Sequence, residues 1–214
     1  MKFSINNIFK TKFDPLTHGY FFPNRFELRG FEKIKKFLDR HIIYGMCGGM
    51  VFSALDFYFD QVNIPDYGKV RELPLNYTKY LWKRQSDSVS ISTFFKILWF
   101  ASLSKSSSIN RTLDVELPLI LDRLEDNLPA PIVIIRSSLF QNPTHNHQVL
   151  VNGCEIKKDT LELFLYDPNH PKDIPVLTIS TGTNHKIEQS SGEPIRGFFL
   201  NKYTYKNSLY IQNL

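Results

Sequence analysis

Hydrophobic patterning divides the chain into two regimes. After an aromatic-rich arm over 1–29, the apolar stretches up to about residue 128 read as helices separated by turns and a polar linker. Beyond residue 128 they come in short β-branched or aromatic runs bounded by turn residues. Phe31, Ile34, Phe37 and Leu38 form one helical stripe. Met50, Val51, Phe52, Ala54, Leu55, Phe57, Tyr58 and Phe59 are apolar on nearly every side, which predicts a fully buried helix. Pro65 and Gly68 mark a turn, followed by a polar linker. Ser90 or Ser92 caps a helix reaching Phe100, and its pairs Phe94-Phe95 and Trp99-Phe100 are assigned to the core. Ser104 to Ser108 reads as a loop. Asp114 to Asp126 reads as a helix capped by Asp114, with Pro118 in its early turns.

Pro129 and Pro131 punctuate the change of regime. Strands are expected at 132–135, 147–154, 160–166, 175–180 and 196–205, with Lys157-Lys158-Asp159 as a hairpin tip. Helices first and strands second predict an α+β fold with an antiparallel sheet. The expected organisation is one domain over 1–214. An aromatic-rich arm covers 1–29, a helical lobe 30–128 and an antiparallel sheet lobe 129–214.

Composition narrows the class. Hydrophobic residues make up 42% and aromatic residues 14% of the 214, enough for a real core and against wholesale disorder. The formal net charge of +5 raises nucleic acid or an anionic membrane as partners. The lysines are scattered, and Lys33-Ile34-Lys35-Lys36 fits the wet face of a helix, so no specific nucleic-acid partner is expected. Two cysteines, Cys47 and Cys154, exclude a disulfide scaffold. Asn6, Asn7, Lys10 and Lys12 interrupt any leader-like apolar run, and no stretch is long enough to span a membrane. The default expectation is a soluble, cytoplasmic protein.

The candidate chemistry centres on Cys47, in Tyr44-Gly45-Met46-Cys47-Gly48-Gly49-Met50. A thiol at the first turn of a buried helix meets unpaired N–H groups and the positive end of the helix dipole, which favour thiolate. His147 opens the run His147-Gln148-Val149-Leu150-Val151, and Asp167 closes Leu161 to Asp167. Folding back near residue 157 sets position 147 opposite roughly 167, within reach of an imidazole–carboxylate hydrogen bond. Such a trio supplies a nucleophile, a general base and acid, and an orienting carboxylate. N–H groups at the helix start can hold an oxyanion. Gly45, Gly48 and Gly49 are read as letting a substrate backbone come close. Cys154 is assigned to the core.

The pattern Gly-Met-Cys-Gly-Gly, then His-Gln-Val-Leu-Val, then Tyr-Asp-Pro-Asn resembles the papain-like cysteine peptidases. It is most similar to bacterial members of the bacteriocin-processing type. The resemblance covers about 15 of 214 residues. It implies a helical lobe bearing Cys47, a sheet lobe bearing His147 and Asp167, an amide-containing substrate and no cofactor. Members commonly carry a Gln about six residues before the nucleophile; here that position is His41. Asn169 is the alternative third member. Two other readings remain open at this stage. One is a binding module on the same fold. The other is a zinc hydrolase using His145 and His147, with Asp167 or His170 as third ligand.

Overall fold

The computed structural model describes residues 7–27, 43–182, 185–208 and 211. The expected stripe at 31–38 and His41 lie outside them. In chain order the elements are β1 (Ile8–Lys10), α1 (Pro15–His18), β2 (Phe26–Glu27), β3 (Ile43–Tyr44), α2 (Cys47–Phe59), α3 (Leu75–Ser88), α4 (Ile91–Ser102), α5 (Lys105–Arg111), a π-turn (Thr112–Glu116) and α6 (Leu117–Glu125). The strands β4 (Ala130–Ile135), β5 (His147–Ile156), β6 (Thr160–Tyr166), β7 (Val176–Ser180), β8 (Ile187–Gln189) and β9 (Gly197–Leu200) follow.

Helices and an antiparallel sheet are segregated as expected for α+β. The sheet runs β8-β7-β6-β5-β4-β9, with β1 added along part of β5. Helices cover both faces. One face packs Ile132, Val149, Val151, Leu163 and Leu165 against Ile120, Leu121 and Leu124 of α6. On the other face, Leu150 and Tyr166 meet the core around α2, and Val133, Ile135 and Phe199 meet Phe100 of α4.

The helix α2 is buried from Gly48 to Phe57, as its all-round apolar sequence requires. The arm closes this core: Phe13, Tyr20, Phe22 and Phe26 are all buried beside it. The short ribbon β2–β3, with Phe26 opposite Tyr44, brings the arm alongside the segment entering α2.

Four expectations are corrected. The polar linker is in part the 14-residue α3. Its buried face is built from Tyr77, Tyr80, Leu81, Arg84 and Ser88, so its apolar stripe is partly hidden in polar residue types. The Ser104–Ser108 loop is the start of α5, with Ser104 as N-cap accepting from the Ser107 N–H. Asp114 lies inside the π-turn rather than at a cap, so the helical path to Glu125 begins well before it. Phe94, Phe95 and Trp99 are exposed, and only Phe100 of those aromatic pairs enters the core.

Gly48 and Gly49 let α2 approach its neighbours. A Cβ on Gly48 would lie 2.0 Å from the Ser88 hydroxyl, and one on Gly49 would lie 2.4 Å from the Leu81 carbonyl oxygen. Both glycines therefore serve packing of α2 on α3 and β5, not the approach of a substrate. Gly49→Ala is expected to lower stability by about 1–3 kcal/mol, because the clash is with backbone that cannot swing aside. Denaturant titration reads this directly; an unchanged midpoint would show that α2 and α3 are not in such close contact.

Candidate active site

Cys47 is the first residue of α2. The N-cap, Met46, offers no side-chain hydrogen bond to the helix start. Two side chains from elsewhere take over the exposed donors. Asn24 Oδ1 accepts the Met46 N–H, and Gln85 Oε1 of α3 accepts the Gly49 N–H at 2.9 Å. The N–H groups of Gly48 and Gln148 favour the Cys47 thiolate. This is the donor-rich helix start that the sequence implied.

His147 is the first residue of β5, paired with Ile134 of β4. Its ring is the largest influence lowering the Cys47 thiol. Its Nε2 lies 2.6 Å from Asp167 Oδ1, which leaves Nδ1 for the sulfur. The strand register differs from the simple fold-back. The ladder pairs Leu150 with Tyr166, and an irregularity between Val151 and Gly153 shifts it by one residue. His147 thus lies a little beyond the β6 partner positions, and Asp167, one residue past the strand end, reaches back to it. Asp167 also accepts the Asn169 backbone N–H at 2.8 Å and Gln189 Nε2 at 3.2 Å. Asn169 faces elsewhere: its side-chain oxygen accepts from Asn24 Nδ2. Asp167 is therefore the residue that meets the imidazole.

The electrostatics follow from burial and partners. Burial pushes the Cys47 thiol up, but the His147 ring and the N–H groups of Gln148 and Gly48 outweigh it, and the net shift is down. Burial alone would lower His147, yet the Asp167 charge and hydrogen bond, aided by Cys47, raise it. Burial disfavours the Asp167 carboxylate, and His147 more than compensates, so its pKa falls. All three shifts act in the direction of thiolate beside imidazolium beside carboxylate. Cys154 behaves as a core residue: it is buried within β5, and its thiol is pushed up to about 11 by desolvation.

Cys47 and His147 line an open cleft of about 1010 Å³. Its far wall is the 136–146 connection between β4 and β5, including Ser137, Asn142 and His145, with Glu193 and Pro194 at one end. Arg136 ties that end together, 3.0 Å from Glu193 and bonded to Gln189. Gly45 and Asn24 also line it. Behind the nucleophile, Gln148 donates to Ser88 and accepts from Asn201, a buried network that fixes β5 against α3.

Sequence reasoning missed Gln85, Gln189 and the 136–146 wall. Gln85 sits on a helix read as linker, and its relation to Gly49 spans 36 positions with no local signature. The zinc pairing does not assemble as expected. His145 is exposed on the cleft wall, and the His147 Nε2 is taken by Asp167. Among the described residues the grouping with metal-ligand spacing is Asp167, His170 and Glu193. No helix of the described residues is long and apolar enough to cross a membrane. No family model, curated protein or solved structure matches the chain.

Proposed function

We propose that the protein is a cysteine-dependent hydrolase of the papain-like type, cleaving an amide bond in a peptide or related substrate. The observation that carries this reading is the file of Cys47, His147 and Asp167 at the edge of an open cleft, with Nε2 to Oδ1 at 2.6 Å. The thiolate of Cys47 adds to the amide carbonyl carbon. The resulting oxyanion is held by the Cys47 N–H at the helix start. Gln85, which lines the cleft, takes the part of the upstream glutamine that the sequence lacks. Its Oε1 is committed to Gly49, so the donor it offers the cleft is its Nε2. The C–N bond breaks as His147 hands its proton to the departing nitrogen, leaving an acyl-thioester. Water, deprotonated by His147, then attacks the thioester and releases the acid and the thiolate. Asp167 keeps Nε2–H oriented throughout and supports the imidazolium.

Acid-quenched mass spectrometry against a mixed peptide and amide panel tests the reading. Wild-type protein should carry an acyl adduct on Cys47 and release amine, and Cys47→Ala should do neither. Undiminished amine release by Cys47→Ala would sink it.

A further inference from the structure

The helix α4 has its apolar stripe on the wrong side for a core helix. Ile91, Phe94, Phe95, Leu98 and Trp99 follow the i, i+3, i+4, i+7, i+8 spacing that normally faces inward. Here that stripe faces outward, and α4 instead buries Thr93, Phe100 and Ala101. Ile91 is 79% exposed and Phe95 63%. Next to the C-terminal end of α4 the cleft-wall loop adds Leu139 and Phe140, tied there by a Leu139 N–H to Ala101 carbonyl bond of 3.0 Å. Phe140 is 97% exposed. Exposed aromatic and aliphatic side chains on adjoining segments are the kind of surface that marks an interaction site.

Charge identifies what it meets. Residues 88–113 contain no Asp or Glu, and they contain Lys96, Lys105 and Arg111. Over 75–111 the bases are Lys79, Lys83, Arg84, Lys96, Lys105 and Arg111, against Asp87 alone, a difference equal to the formal net charge of +5 of the whole chain. Arg84 is sealed on Asp56 and Lys96 is paired with Glu116, whereas Lys79, Lys105 and Arg111 are exposed. The Arg111 guanidinium sits 5.1 Å from the Trp99 ring centroid, at the margin of the stripe.

We propose that this face docks onto an anionic lipid surface. An aromatic helix face bordered by Lys and Arg fits the boundary between headgroups and acyl chains. The basic rim is drawn to negative headgroups. A second copy of the chain is a poor occupant, because a two-fold contact would bring the Lys105 and Arg111 rims together. Docking would hold the mouth of the Cys47 cleft beside the bilayer, since residues 136–146 form both the cleft wall and the exposed tip. The proposal is independent of the chemistry at Cys47.

Co-sedimentation with phosphatidylcholine vesicles, with and without phosphatidylglycerol, tests it at low and high salt. The full chain should pellet with the phosphatidylglycerol vesicles at low salt and largely release at high salt. Phe94→Ser with Phe95→Ser should weaken binding roughly tenfold or more, through lost apolar burial. Lys105→Glu with Arg111→Glu should weaken it and flatten the salt dependence. These positions are exposed, so unchanged circular dichroism and thermal midpoint separate a docking defect from misfolding. Failure to pellet, equal binding to neutral vesicles, or full binding by the Phe94→Ser/Phe95→Ser variant would each overturn the proposal. So would self-association without vesicles that the same variant abolishes.

Discussion

His147→Ala is expected to move the pH midpoint of Cys47 alkylation upward, towards the ~8.5 of an ordinary thiol. In the wild-type protein the depressed thiol and the raised imidazole define a window in which thiolate and imidazolium coexist. The lower edge of the window is the Cys47 pKa, below which the sulfur takes a proton. The upper edge is the His147 pKa, above which the ring loses its charge. Removing the ring removes the largest influence lowering the thiol, while burial, which opposes it, remains. At pH 6 an ordinary thiol is only about 0.3% thiolate. Labelling should therefore slow roughly tenfold there, even allowing for the weaker nucleophilicity of an acidic thiolate. The midpoint is the better readout than the neutral-pH rate, because thiolate fraction and nucleophilicity move in opposite directions. Amide cleavage should fall further, by about 10²–10⁴, since proton transfer to the leaving nitrogen is lost as well. Iodoacetamide labelling across pH, with Cys154 as the unreactive internal control, measures the first effect. An unshifted midpoint would show that the ring does not govern the sulfur.

The second large effect concerns the back of α2. Asp56, fully buried, lies 2.7 Å from the Arg84 Nε and accepts from Arg84 Nη2 at 3.0 Å. Tyr80, Tyr203 at 2.6 Å and the Lys206 backbone N–H at 3.0 Å complete its partners. One carboxylate thus fastens α2, α3 and the segment after β9 together. Burial raises its pKa, with Arg84 and the hydroxyls opposing, so the ion pair is held against a desolvation cost. Asp56→Ala is expected to cost about 3–5 kcal/mol, because it strands the Arg84 guanidinium with no counter-charge beyond the half-buried Asp87. For a chain of this length that is roughly 10 °C in thermal midpoint. Asp56→Asn should recover little of it, since the shape returns and the charge does not. A midpoint within a degree or two of wild type would show that the hub is not a principal support.

How much of this was legible in the residues differs by element. The buried helix from Cys47 and the strand from His147 announce themselves by unbroken apolar runs, and the turn at Lys157 to Asp159 by its polarity. Asp167 was placed within reach of His147 although the true register is offset, because the irregularity near Asn152 leaves no mark that a period-two reading detects. The helix α3 was missed because much of its inner face is Tyr, Arg and Ser, residues whose burial is stabilised by partners such as Asp56 rather than by hydropathy. The helix α4 shows the opposite failure. Its periodicity was plain, but periodicity identifies a stripe without saying whether sheet or solvent faces it. Gln85 and Gln189 act across long separations, on Gly49 and Asp167, and nothing local in the chain points to either.

Cys154 lies in the core shared by the sheet and α6, whereas Cys47 belongs to the helix on the opposite face. Peroxide that converts Cys47 to a sulfenic acid therefore finds no second sulfur within the fold to close a protective disulfide. Recovery depends on a thiol arriving from outside through the cleft, and if a second equivalent of peroxide arrives first it carries the sulfur on to the irreversible sulfinic state.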